Sequence, residues 1–240
     1  MIGVILAAGD GKRLKDSSNE NCCKPLIKIK DKYLITYSLD NLAALEITTA
    51  YIVIGKEGNL IKNSVGDEYK GIKLHYVCQQ EQKGLTNAFV QALKVIDDNE
   101  TVILQLSDEI FADLRTDEIS SMIKAEKADF YCGVTAESNP QKIKNNFRVE
   151  ADCQSRLIKC IEKPETVTDN IKGTGFSIFN GTTQKIIKDN ADILVDLCDC
   201  FNYLTDSGFD GLVFTVAENE FNINTAADLT EAESYLNNII

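Results

Sequence analysis

Apolar and polar positions along this chain follow two alternating rhythms. Residues 2–7, 50–54, 72–78, 102–106 and 130–135 are short runs of β-branched, aliphatic or aromatic side chains, which predict strands. Between them, residues 34–45, 85–96 and 118–125 carry apolar side chains at helical spacing. Leu85, Ala88, Phe89, Ala92, Leu93 and Ile96 show it most plainly. Such alternation predicts right-handed βαβ units. The expected class is α/β, with a Rossmann-like, mostly parallel twisted sheet and helices on both faces.

The rhythm changes in the second half. Residues 147–150, 157–162 and 174–179 read as strands with few helical intervals, so a smaller mixed or antiparallel portion is expected there. Helical spacing returns at 183–188, 193–204 and 227–236, with Thr225 placed to cap the last of these. No repeat, low-complexity tract or long linker divides the chain, which predicts one domain over residues 1–240.

Composition narrows the chemistry. A net charge of −12 argues against a nucleic-acid partner, which needs a basic face. No apolar run approaches the length of a membrane span, and Met1 leads straight into a strand, so the expectation is a cytoplasmic protein without a membrane partner. The sequence leaves the oligomeric state open, a homo-oligomer included. The eight cysteines show no Cys-x-x-Cys spacing, and His75 is the only histidine. Spacing therefore indicates no zinc site, and the thiols read as reduced packing residues.

The strongest chemical signal lies at the start. The apolar run ending in Leu6-Ala7-Ala8 breaks at Gly9-Asp10-Gly11 and is followed by Lys12, Arg13 and Leu14, then by Lys24-Pro25-Leu26. A strand ending in a glycine-broken loop brings backbone N–H groups close to a phosphate chain. Arg13 and Lys24 add fixed positive charge there. The pattern is neither a Walker A loop nor the dinucleotide fingerprint. Two other strand ends deliver polar groups to the same edge, where open α/β sheets bind ligands. One gives Gln79 and Gly84; the other gives Asp108, a hard carboxylate suited to magnesium among phosphates.

These residues carry a resemblance. Gly3 to Leu14 with Lys24-Pro25-Leu26 resembles the signature of the sugar-phosphate nucleotidyltransferases, the NDP-sugar pyrophosphorylases. Ser107-Asp108-Glu109-Ile110-Phe111 resembles the family's metal-binding strand end, from which Ser107 and Glu109 depart. In Phe221-Asn222-Ile223-Asn224-Thr225, Asn222 takes the position of the second metal ligand. Gln79 to Leu85 resembles the base-recognition loop, with Gln79 matched to a pyrimidine edge and Gln80 and Gln82 facing solvent. Glu162-Lys163-Pro164 matches a Glu-Lys-Pro signature, implying that Lys163 binds the acceptor's phosphate and Glu162 a sugar hydroxyl. Thr174 and Gly175 resemble the acceptor-side Thr-Gly segment, with Gly175 leaving room for ligand. Arg148 stands where sugar-using members have a glycine, crowding a pyranose or adding a positive contact.

The resemblance implies a magnesium-dependent nucleotidyltransferase that joins an NTP, with UTP or dTTP favoured over CTP, to a sugar 1-phosphate and releases pyrophosphate. It also implies a role in supplying NDP-sugars for cell-surface polysaccharides. Residues 1–135 would form the nucleotide-binding part, through Leu6, Ala7, Ala8, Gly9, Gly11, Gln79 and Gly84. Residues 136–240 would form the acceptor-binding part and the C-terminal helices. Arg13, Lys24, Asp108 and Lys163 would be catalytic, with Asp108 and Asn222 on the metal. Arg148 motivates a rival, cytidylyl transfer to a phosphorylated alcohol, amino alcohol or amide. A noncatalytic nucleotide-binding regulatory subunit is a third reading.

Overall fold

The first strand, β1 (Ile2–Ala7), shows why the sheet is covered on both faces. Val4 and Leu6 enter one apolar cluster, while Ile5 and Ala7 enter another. The computed structural model describes residues 1–9 and 23–238. Gly11 and Arg13 lie outside the described residues.

The remaining strands are β2 (Lys28–Ile29), β3 (Lys32–Tyr33), β4 (Thr49–Ile54), β5 (Glu68–Tyr69), β6 (Ile72–Cys78), β7 (Val102–Leu106) and β8 (Glu109–Phe111). After them come β9 (Phe130–Ala136), β10 (Phe147–Ala151), β11 (Leu157–Glu162), β12 (Ile171–Phe179), β13 (Gly211–Thr215) and β14 (Glu220–Asn222). The helices are α1 (Leu34–Ala44), α2 (Gly58–Val65), α3 (Leu85–Leu93) and α4 (Thr116–Ala125). They continue with α5 (Pro140–Lys144), α6 (Gly181–Asp189), α7 (Leu197–Asp206) and α8 (Ala226–Asn238).

Among the described residues the main sheet has ten strands, in the order β11-β10-β12-β7-β1-β4-β6-β5, with β9 beside β12 and β13 beside β9. Its centre, β7-β1-β4-β6, is parallel. On the far side of β7 the ladders turn antiparallel through β12, β9, β10 and β11, while β13 runs parallel to β9. The α/β class, the covered sheet and the mixed second half stand as expected.

Helices cover the faces by their periodicity. Ala88, Phe89, Ala92 and Leu93 of α3 join Phe201 and Leu204 of α7 in the first cluster. Ile35, Leu39 and Leu42 of α1 join Ile61 of α2 and Ile119 of α4 in the second. A third, small cluster seats Ile110 of β8 and Phe221 of β14 beneath Ala232 of α8. Several elements differ from expectation. Helices α2 and α5 and strands β2, β3, β5, β8, β13 and β14 arise where no rhythm predicted them, and α7 begins at Leu197 rather than at residue 193. Asp196 sets that start by accepting the N–H of Asp199, whose side chain returns the bond in a capping box. Thr225 does cap α8: its hydroxyl accepts from the N–H of Asp228, whose carboxylate accepts from the N–H of Thr225 at 2.7 Å.

Candidate active site

The carboxyl ends of β1 and β7 lie side by side, so the segments that leave the two strands meet at one edge. Lys24 enters from a 3-10 turn (Lys24–Leu26) whose Pro25 is buried. Its ammonium lies 2.5 Å from Asp108 Oδ2 and 3.2 Å from Asn224 Oδ1. Three sequence-distant segments therefore meet on one cation.

The adjoining network orients the amides. Strands β8 and β14 pair so that Glu109 faces Asn222, and the N–H of Ile223 donates to the Asp108 carbonyl at 2.9 Å. The amide nitrogen of Asn222 donates to Asn146 Oδ1 at 3.1 Å and faces Glu109 Oε1 at 3.5 Å. Its Oδ1 accepts from Asn224 Nδ2 at 2.6 Å, the same amide whose Oδ1 accepts from Lys24. The Asn146 carbonyl accepts the backbone N–H of Lys163 at 2.7 Å. Asn146 thus joins the Glu162-Lys163 segment to the β14 end.

Glu109 is the buried anchor. Both its oxygens accept the N–H of Gly175, at 3.0 and 2.8 Å. Burial beside Glu220 and Asp108 holds its carboxyl well above the usual range, opposed by Lys172. Glu220 is also pushed up by burial, although the Lys172 ammonium pairs with it directly. A cleft of about 90 Å³ opens above this layer, lined by Asn146, Lys172, Glu220, Asn222 and Asn224 among others.

The loop after β6 reaches the same edge. Gln79 is buried, and its amide nitrogen donates to Gly84 O at 3.2 Å and Asn87 Oδ1 at 3.0 Å. Gly84 has φ +96°, which favours glycine, and a Cβ there would meet the Val195 carbonyl at 2.7 Å. Gln82 is exposed as expected, and it also donates to the Ala8 carbonyl at 3.0 Å, tying the loop to the end of β1. Gln80 is exposed as expected.

Several expected roles change. Leu6, Ala7 and Ala8 are buried in the two apolar clusters, and the Leu6 carbonyl is occupied by the N–H of Ser107 at 3.1 Å, so the exposed surface of this segment begins at Gly9. The Gln79 amide nitrogen is held inside its own loop rather than offered to a base. The Thr174 hydroxyl donates to the Gly133 carbonyl at 3.0 Å, inside the sheet. Gly175 makes room for protein rather than ligand: a Cβ there would lie 2.2 Å from Leu106 Cγ and 2.8 Å from Glu109 Oε2. Arg148 is buried, and its guanidinium pairs with Glu150, with Asp169 at 2.8 Å and with Thr168 at 2.9 Å. Its charge is consumed within the fold and offers no contact to an anionic acceptor. Lys163 is exposed and meets Glu162 at 3.0 Å.

Asn146 and Glu109 were given no role from the sequence, and Asn224 ranked behind Asn222 as a metal ligand. A signal existed for Glu109, since it interrupts an apolar run directly after Asp108. None existed for Asn146, whose partner lies 76 residues away.

A family model described as "Nucleotidyl transferase" matches residues 2–208. The UTP–glucose-1-phosphate uridylyltransferase AglF of Haloferax volcanii is 30% identical over 179 residues, spanning 75% of this chain and 72% of that protein. The chain spans about half the length, or less, of other curated relatives that it matches. A solved UDP-glucose pyrophosphorylase complexed with UDP-glucose has a TM-score of 0.85 at 15% identity, covering 100% of this chain and 99% of that one. The inositol-1-phosphate CTP transferase of T. maritima has a TM-score of 0.82 at 18% identity, covering 99% and 95%. At these identities the two structures establish the shared fold.

Proposed function

The chain belongs to the nucleotidyl transferase family and is a nucleotidyltransferase; within that family we propose that it joins an NTP to a sugar 1-phosphate. The products are an NDP-sugar and pyrophosphate, with UTP or dTTP as donor. The observation that carries this reading is the meeting of Lys24, Asp108 and Asn224 beside Asn222 at the joined ends of β1 and β7.

The acceptor phosphate is already an ionised nucleophile. One of its oxygens forms a bond to the α-phosphorus of the NTP as the bond to the β-phosphate oxygen breaks. No covalent enzyme intermediate and no proton transfer are required, so the protein's work is positioning and charge stabilisation. Lys24 places its ammonium against the equatorial oxygens of the α-phosphate, where charge builds. Arg13 holds the leaving pyrophosphate, and Lys163, beside Glu162, orients the acceptor.

Asp108 and Asn222 offer a carboxylate and an amide oxygen, the hard donors that magnesium takes together with phosphates and water. The Lys24 ammonium paired with Asp108 supports that reading, since the carboxylate faces a positive charge there. When bound, magnesium would neutralise phosphate charge beside Asp108 and Asn222.

The test is a panel of NTPs against phosphorylated acceptors, read by pyrophosphate release. Turnover with UTP or dTTP and a hexose 1-phosphate is expected. Turnover confined to CTP and a non-sugar phosphate would establish the rival acceptor. Absence of pyrophosphate from every pair would overturn the enzyme reading. The buried, ion-paired Arg148 removes the charge argument that favoured the rival.

A further inference from the structure

Cysteine spacing hides a cluster that the fold assembles. Cys160 and Glu162 lie two apart on β11, so their side chains share a face. Asp196 and Cys198 stand at the start of α7, which packs on that strand. Asn202 of α7 fixes the join, accepting the Cys160 N–H at 2.8 Å and donating to its carbonyl at 2.9 Å.

The geometry suits a small cation. Cys198 Sγ lies 3.8 Å from Glu162 Oε2, and one ligating atom from each of Glu162, Asp196 and Cys198 falls within 4.8 Å of the others. Ligand-to-ligand edges in tetrahedral zinc, from its bond lengths, are about 3.3–3.8 Å. Cys160 lies outside this group. Both cysteines are buried, whereas Glu162 is exposed, so the cluster opens to solvent on its carboxylate side. Lys163 meets Glu162 from an exposed side chain.

We propose that Glu162, Asp196 and Cys198, completed by water, form a binding site for a thiophilic divalent cation of the zinc class, and that filling it withdraws Glu162 from the acceptor. The second half rests on the function proposed above. A sulfur beside two carboxylate oxygens favours zinc over magnesium. On binding, the Cys198 thiol releases its proton to solvent and becomes a thiolate ligand.

The experiment is a Co2+ titration of chelator-treated protein in which Cys22, Cys23, Cys78 and Cys153 are replaced by serine. Sulfur-to-cobalt charge-transfer absorption should saturate at one equivalent, with the d–d bands of tetrahedral cobalt, and added Zn2+ should displace it. Cys198→Ser and Asp196→Asn, checked for folding by far-UV circular dichroism, should each weaken Co2+ binding at least about 10-fold. Zn2+ should raise KM for the acceptor phosphate and leave KM for the NTP unchanged. Absence of the sulfur-to-cobalt band, or a band unaltered in folded Cys198→Ser, would overturn the site. An unchanged acceptor KM with the site filled would overturn the coupling to Glu162. A normal cobalt spectrum in a protein that releases no pyrophosphate keeps the site and removes the proposed function.

Discussion

Replacing Lys172 with methionine tests the layer beneath the candidate active site. Lys172 and Glu220 pair with side chains 3% and 1% exposed, so neither has water to fall back on. Glu220 Oε1 has no hydrogen-bond partner, and Glu109 lies close enough to repel the Glu220 charge. Removing the ammonium leaves an uncompensated buried carboxylate. Breaking a buried pair this way costs about 3–5 kcal/mol. The carboxyl can escape the penalty only by taking up a proton, so the sign with pH is fixed. Burial already raises Glu220 above its unfolded value, and losing Lys172 raises it further. The added instability should be smallest below the unfolded carboxylate pKa, about 4.3, and should grow as pH rises, by up to about 1.4 kcal/mol per unit.

The chain has no tryptophan, so urea unfolding is best followed by far-UV circular dichroism at pH 5 and pH 8. Lys172→Met should lose about 3–5 kcal/mol at pH 8 and clearly less at pH 5. Lys172→Met with Glu220→Leu should recover most of that loss, because an apolar pair leaves no charge to solvate. A loss below about 1 kcal/mol, a loss independent of pH, or a double variant no better than the single one would refute the reasoning.

Other perturbations address the chemistry directly. Lys24→Ala should lower kcat by roughly 30- to 1,000-fold, about 2–4 kcal/mol of transition-state stabilisation, measured by pyrophosphate release. Arg13→Ala should fall in the same range, and full activity in either variant breaks the assignment. Glu109→Gln removes a carboxyl held well above its unfolded value by burial, whose contribution to stability is complete below that value and lost as pH rises through the folded one. The variant's melting temperature should therefore fall less between pH 5 and pH 8 than that of the parent; identical pH profiles would show that Glu109 does not titrate there. Chelation of divalent cations should abolish turnover and added magnesium should restore it, whereas undiminished activity in excess chelator would remove magnesium from the site.

The sequence revealed features that are written locally and concealed those that depend on tertiary pairing. Val102–Leu106 reads as a strand because its burial is continuous, and Asp108 reads as a cleft residue because it comes directly after that strand. Helix α2 escaped because Leu60, Ile61 and Val65 make too short a stripe, and of these only Ile61 is buried. Strand β13 escaped because five residues after a glycine-bounded turn carry no rhythm of their own. In the site, Lys24 and Asp108 were legible, while Glu109 looked only like a departure from a pattern. Its meaning lies in Gly175, 66 residues on, whose missing Cβ gives the carboxylate room and whose N–H it accepts. That carboxylate in turn sets the environment of Glu220, which Lys172 offsets. Glu109, Lys172, Gly175 and Glu220 are therefore one structural choice distributed over four positions. A change at any one of them should move the orientation of Asn222, which β14 carries two residues beyond Glu220 and against Glu109.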